Sequence, residues 1–310
     1  MTDPRIQRIR DGLAARQAFD ADALVPWIVA GQRVGWLSRE EFVTTRPQRR
    51  MKVIDLATCA LTVARVEFPE IEPARYLARL DAMARDAQPR LEGLEPTDAA
   101  AALARFLFDE LGFAGNEDEY YDPRNSCVNY VLDEHLGIPI TLALLAIDVG
   151  RRAGIEIEGV GFPAHFIVRA RHADRTRFFD PFSRGREVTA GELAARINLR
   201  PDDPRLEPHL SAVTPKQILH RMLANLKFAY LDRGDFEKAH DILEFLIVLS
   251  PWALEQIKDR GLVAYRLGRY DEAHRDLLTY AQYRPDADDA DWVRRLAEAV
   301  RQLAHDQTAL

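Results

Sequence analysis

Gly234 and Gly268 stand 34 residues apart, and the same interval separates Phe236 from Tyr270, Ala239 from Ala273, Leu243 from Leu277 and Pro251 from Pro285. Like residues returning at one fixed period require a repeated unit of paired helices. Glycine serves the tight turn between helices, alanine the point where two helices approach closely, and proline the start of the next unit. A single unit cannot bury its apolar face, so the units must stack. A helix predicted over 214–232, capped by Thr214 with Pro215 behind it, opens the array. A helix over 290–304 closes it, with Trp292, Leu296, Val300 and Leu303 as its apolar face. The repeat domain is therefore placed at 214–310. Ahead of it, mixed charge and two prolines in Arg200 to Arg205 mark 200–213 as a linker.

Residues able to carry chemistry gather upstream, between 120 and 182. Leu142, Leu144, Leu145, Ile147 and Val149 cover more than one face of a helix that Gly154 ends, so this helix is expected to be buried on most sides. Short strands are predicted over 156–160, 166–171 and 176–180. Phe166, Val168 and Ala170 share one face of the second strand, and His165 shares the other with Ile167 and Arg169. Asp180 closes the third strand. A histidine opening one strand and an aspartate closing the next lets a carboxylate orient an imidazole.

The wording of this region resembles the soluble SirB-type family, bacterial proteins with a transglutaminase-like domain followed by tetratricopeptide repeats. The matching stretches are Phe108 to Asn116, Asp122 to Ser126, Gly137 to Leu142, Pro163 to Phe166 and Asp180 to Phe182, and the match continues through Arg221 to Lys227 and Lys258 to Leu262. The resemblance implies an α+β fold, mostly helical. Its core is papain- or transglutaminase-like, helices plus a small antiparallel sheet, with tetratricopeptide-like helical hairpins at the C-terminus. It sets the transglutaminase-like domain at 51–199, behind an appended segment at 1–50 in which 24–37 reads as a hairpin anchored by Trp27 and Trp36.

The same resemblance implies that His165 and Asp180 are retained members of a catalytic triad. The thiol of active relatives belongs at the start of the central helix, near position 139 when counted back from Gly154. Gly137 to Thr141 reads Gly-Ile-Pro-Ile-Thr and contains no cysteine. Cys127 is the nearest thiol and lies well upstream, so a Cys127–His165–Asp180 triad is the enzyme alternative, not the leading one. Asn125, Ser126, Pro139, Thr141, Phe166 and Phe182 are expected to shape the site. Within this set, Ser126 reads as the N-cap of a helix over 128–135 and Thr141 as a cap of the central helix.

Bulk properties narrow the classes. The chain has 310 residues with 47% hydrophobic, enough for two or three cores. A net charge of −7 with no dominant basic patch argues against a nucleic-acid partner. Cys59 and Cys127 give no disulfide framework. The N-terminus shows no apolar leader, and the longest apolar run, 140–147, is far shorter than the roughly 20 residues that span a bilayer. A cytoplasmic protein without a membrane partner is expected. The acidic loop 114–124 lacks the ligand spacing of a calcium loop, so neither metal nor cofactor is expected. Two function classes remain. One is a non-catalytic or regulatory module binding a protein or peptide through its repeats; the other is an acyl transferase, peptidase or hydrolase acting on a protein or peptide amide.

Overall fold

Proline sets where several helices begin, because its missing N–H costs nothing in a first helical turn. In the computed structural model, which describes residues 55–308, Pro73, Pro96, Pro139 and Pro215 each open a helix. The hairpin expected at 24–37 and the rest of segment 1–50 lie outside the described residues. The described chain divides between Met222 and Leu223 into two units.

The first unit begins with α1 (Leu56–Ala64), whose start is capped by Asp55 accepting the Thr58 N–H at 3.0 Å. It continues through α2 (Pro73–Leu91) and α3 (Pro96–Arg105). Glu95 holds the N-cap position of α3, and Thr97 is buried in its first turn. A single π-helical turn, Phe106–Glu110, carries α3 on. Then β1 (Ala114–Gly115) pairs in parallel with β2 (Leu136–Gly137), on either side of a 3-10 turn, Pro123–Ser126, and α4 (Val128–Glu134). Glu134 is followed by His135 in the left-handed region, φ 59°, where its Nδ1 lies 2.6 Å from the Leu111 carbonyl and its ring stacks on Phe113.

The central helix is α5 (Pro139–Ala153), longer at its start than the apolar run alone indicated, and Gly154 ends it at φ 82°. It faces a five-stranded antiparallel sheet in the order β6-β5-β4-β3-β7. Those strands are β3 (Glu158–Val160), β4 (Ile167–His172), β5 (Arg175–Asp180), β6 (Arg186–Val188) and β7 (Ala212–Val213). Val160, Phe162, Ile167, Phe178 and Val188 make one core with Leu193 of α6 (Ala190–Arg196). The stretch expected as a linker does structural work: it holds α7 (Glu207–Leu210), buries Leu206, and gives β7 to the sheet beside β3. Two residues of strand leave no alternation to read, which is why composition alone marked it as a joint.

A continuous helix, α8 (Pro215–Arg233), runs across the division. The second unit goes on through α9 (Phe236–Leu249), α10 (Leu254–Arg266), α11 (Tyr270–Tyr283) and α12 (Ala290–Thr308). Gly234 and Gly268 hold the turns at φ 74° and 72°, and Ala239, Ala273, Leu243 and Leu277 are fully buried. The period read from the sequence thus marks equivalent positions in two helical hairpins. The buried face of α12 keeps Val300, with Leu296 partly packed, but otherwise differs from the expected one. Val293, Ala297, Val300 and Ala304 point inward, while Trp292 and Leu303 are exposed. Small residues let α12 lie close, and the larger neighbours turn outward.

Lys227 of α8 is fully buried, its Nζ held by Gln256 Oε1 at 2.8 Å and Asp259 Oδ2 at 2.7 Å. Removing one partner of a buried ion pair strands the other charge, at a cost of about 3–5 kcal/mol. Lys227→Met is therefore expected to lower the urea-unfolding free energy of the second unit by about that amount, and Lys227→Met with Asp259→Leu to recover most of the loss.

Candidate functional site

The site is fixed from below by the start of α5. Thr141, in the first turn, donates its hydroxyl to the Asn125 carbonyl at 2.7 Å and accepts the Ile138 N–H at 3.2 Å. It caps the helix from inside, not from the N-cap position, which Ile138 occupies ahead of Pro139. Asn125 is fully buried and ties its loop together: its Nδ2 donates to the Glu119 carbonyl at 2.6 Å, and its Oδ1 accepts Asn116 Nδ2 at 3.0 Å. The bonds satisfy buried polar groups that would otherwise be costly. Ser126 is buried within the 3-10 turn and does not cap α4. Cys127 takes that place, its carbonyl accepting the Val131 N–H at 3.1 Å.

From above, a tight turn presents the histidine. The His165 N–H bonds the Phe162 carbonyl at 3.1 Å, and Ala164 takes φ 53°, a strained value for a residue with a side chain. His165 therefore sits just before β4, not on it. Its Nε2 meets Asp180 Oδ1 at 2.8 Å, with Asp180 almost fully buried at the end of β5. Ser183 adds its N–H to the same oxygen at 3.3 Å and its hydroxyl to Oδ2 at 3.2 Å, and Arg196 approaches Oδ2 at 3.4 Å. Burial by itself raises the Asp180 carboxyl, but the His165 hydrogen bond and charge, with the Ser183 donors, outweigh it and hold the group below its ordinary value. An ionised carboxylate accepts, so Nε2 donates to it, and in the neutral ring that tautomer leaves the lone pair on Nδ1. The pair can accept a proton or a hydrogen bond at Nδ1.

Aromatic rings close the sides. Phe182 meets His165 edge-on at 6.3 Å and Tyr120 at 5.8 Å. Phe166 is buried, with the Arg221 guanidinium 5.3 Å above its ring. The thiol is placed differently. Cys127 is 1% exposed, and its Sγ lies 3.8 Å from the Pro123 carbonyl. The sequence pairs His165 with Asp180 and gives Asn125 and Thr141 separately as site-shaping residues, which the structure joins through the Thr141 hydroxyl and the Asn125 carbonyl. Sequence reasoning missed Ser183, Arg196, Tyr120 and Arg221. Ser183 carried a signal, since a serine shortly after an aspartate often closes an Asp-centred turn; Arg196 carried none, and Arg221 was marked only by opening a stretch that matches the family.

Two carboxylates of the acidic loop are spent locally. Asp122 caps the 3-10 turn, accepting the Arg124 N–H at 2.9 Å, and Asp122 and Glu119 both pair with the Arg124 guanidinium. Among the described residues, His240, Glu244 and Glu272 do bring ligand atoms within 4.8 Å of one another. There the positive charge is already supplied: Arg260 bonds Glu244 and Asp276 and lies 3.8 Å from Glu272.

A helix-buttressed sheet carrying a His–Asp pair, followed by stacked helical hairpins, defines a transglutaminase-like protein with tetratricopeptide repeats. The model of the transglutaminase-like superfamily matches residues 74–224, and that of the tetratricopeptide repeat matches residues 226–298. A UPF0162 protein of Xylella fastidiosa (strain 9a5c) is 37% identical over 250 residues, 78% of this chain and 89% of that protein. One from Vibrio cholerae is 28% identical over 247 residues, 78% of this chain and 87% of that protein. Human F-box only protein 21 is 28% identical over 188 residues, covering 55% of this chain and 28% of that protein. The chain belongs to the UPF0162, or SirB-type, family.

Two measurements probe the site's construction. Thr141→Val leaves the buried Asn125 carbonyl without its donor and is expected to cost about 1–3 kcal/mol in denaturant unfolding. Asp180→Asn removes a carboxylate that is easier to ionise folded than unfolded, so the wild type's added stability is present above the ordinary value of 3.8. That advantage should disappear as pH falls below 3.8 and through the lower folded value, in a pH series of unfolding free energies.

Proposed function

We propose that this protein is a non-catalytic interaction module: a transglutaminase-like unit without a working thiol, joined to repeats that take a protein or peptide. The observation that carries the reading is the placement of Cys127. A thiol nucleophile must meet its substrate, whereas this one is 1% exposed and faces the Pro123 carbonyl. The start of α5 offers Pro139, Ile140 and Thr141, and the Thr141 hydroxyl is spent on the Asn125 carbonyl. Repeat arrays present surfaces to partner segments, which supports the binding half of the reading. The division we propose keeps 51–199 as the transglutaminase-like unit and 214–310 as the repeats, with 200–213 both joining them and completing the sheet. The cytoplasm suits a chain whose described cysteines form no disulfide. We propose no nucleic-acid or membrane partner; among the described residues no helix is long and apolar enough to cross a membrane.

A second reading has one observation in its favour. The His165–Asp180 pair is fully assembled, with an ionised carboxylate behind the imidazole, as a general base acting on water would need.

Labelling of the native full chain with iodoacetamide separates the readings, together with an assay for release of ammonia from, or amine transfer to, a glutamine peptide. Cys127 is expected to label only after denaturation, and the assay is expected to stay at background in the wild type, Cys127→Ala and His165→Ala alike. Rapid native labelling of Cys127, or turnover that His165→Ala abolishes, would overturn the proposal.

A further inference from the structure

Arg221 of α8 is half-buried with its guanidinium above the Phe166 ring, and its Nη1 reaches the Phe162 carbonyl at 3.4 Å. That oxygen also accepts the His165 N–H, so the guanidinium and the histidine turn are fastened to one atom. Several other partly buried arginines of this unit have a carboxylate: Arg152 has Asp148, Arg169 has Glu158, and Arg177 has Asp98 and Glu187. Among the described residues none lies within 4.0 Å of Arg221. A cation that gives up water without gaining a counter-charge is costly, and burial lowers the Arg221 pKa accordingly.

The surroundings keep that cation approachable. Gly161 lies alongside, where a Cβ would come 3.7 Å from Arg221 Nη1. Tyr120 is close enough for Arg221 to pull its hydroxyl pKa downward, against the larger upward push of burial. The Tyr120 ring meets Phe182, and Phe182 meets His165, so the contacts run around a ring from Arg221 through Phe162, His165 and Phe182 to Tyr120, whose hydroxyl feels the Arg221 charge. Within that ring, Asp180 is already paired to His165 and Arg196 and offers Arg221 nothing.

We propose that this ring is a binding site for a peptide carboxylate, paired to the Arg221 guanidinium, with Tyr120 and Phe182 flanking the carbon stem. The proposal rests on the interaction-module reading above and gives its transglutaminase-like unit a ligand class of its own. A planar carboxylate matches the guanidinium fork with parallel hydrogen bonds, and Arg221 spends only one long bond on protein. The Tyr120 hydroxyl can donate to the same group, and His165 reports from the adjoining wall.

The test is a titration of the full chain with N-acetyl-triglycine, its C-terminal amide and inorganic phosphate, following the ring C–H signals of His165 by NMR. His165→Gln assigns those signals. A saturable shift is expected with the free acid and none with the amide. Arg221→Gln should weaken the free acid roughly tenfold to a hundredfold, the loss of a charge-assisted bond, and Arg221→Lys less, since it keeps the charge without the fork. Equal or absent responses to acid and amide in the wild type overturn the proposal without recourse to any variant, as does unchanged affinity in folded Arg221→Gln. A response to phosphate alone overturns it in favour of a phosphate site. The cysteine-labelling and turnover assays do not involve Arg221, so a carboxylate that fails to bind leaves the non-catalytic reading standing, and detected turnover leaves the carboxylate result standing.

Discussion

Ala143 and Leu144 project from different sides of the central helix, and neither retains any exposure to water. A helix buried over most of its circumference must be met by protein in every direction, and the first unit is arranged to do so. The loop held by Asn125 meets its start, the sheet meets its flank, and Gly154 lets the chain double back into β3. Even its buried carboxylate, Asp148, is answered by Arg152 at 2.5 Å and Arg151 at 2.9 Å. The His165–Asp180 pair takes its position from strands built against that helix. Its geometry is therefore a by-product of packing as much as of the hydrogen bond itself.

The two units reach order by different means. Around the central helix, large apolar groups fill the space, with Phe108, Phe113, Phe162 and Phe166 all buried. In the repeats, charges are taken inside as well. Lys227 is shut in with Asp259, Arg260 holds Glu244 and Asp276, and Lys258 reaches Asp289 at 2.7 Å. Paired charges have strict geometric demands, and slipping one helix by a turn would break several pairs together. Hydrophobic contact alone would tolerate such a slip.

What the sequence made legible follows the range of the interactions. The 34-residue period was readable because a repeat states its contacts twice. The central helix was readable because local residues dictate its burial. The link between His165 and Asp180 spans 15 residues through a single hairpin, which strand alternation can anticipate. Two-residue β7 was not readable, since nothing at Ala212 and Val213 distinguishes a strand from a joint until β3 lies beside it. The inward face of α12 was misjudged for a related reason: hydrophobicity favours Trp292, whereas the fit against α11 favours Ala297. Arg221 reaches the site across 59 residues from Phe162, with no local pattern to announce it.

Gly115 donates its N–H to the Phe182 carbonyl at 3.1 Å, and a Cβ built on it would fall 2.5 Å from the Phe182 ring. The ring beside His165 thus stands where it does because a neighbouring residue has no side chain. Any alanine or serine arriving at 115 would have to evict that ring, and with it the partition between the imidazole and Tyr120. The contour of the cleft is written partly in an omission, so drift at a position in the separate β1–β2 pair would remodel what the cleft can hold while leaving every polar group in it untouched.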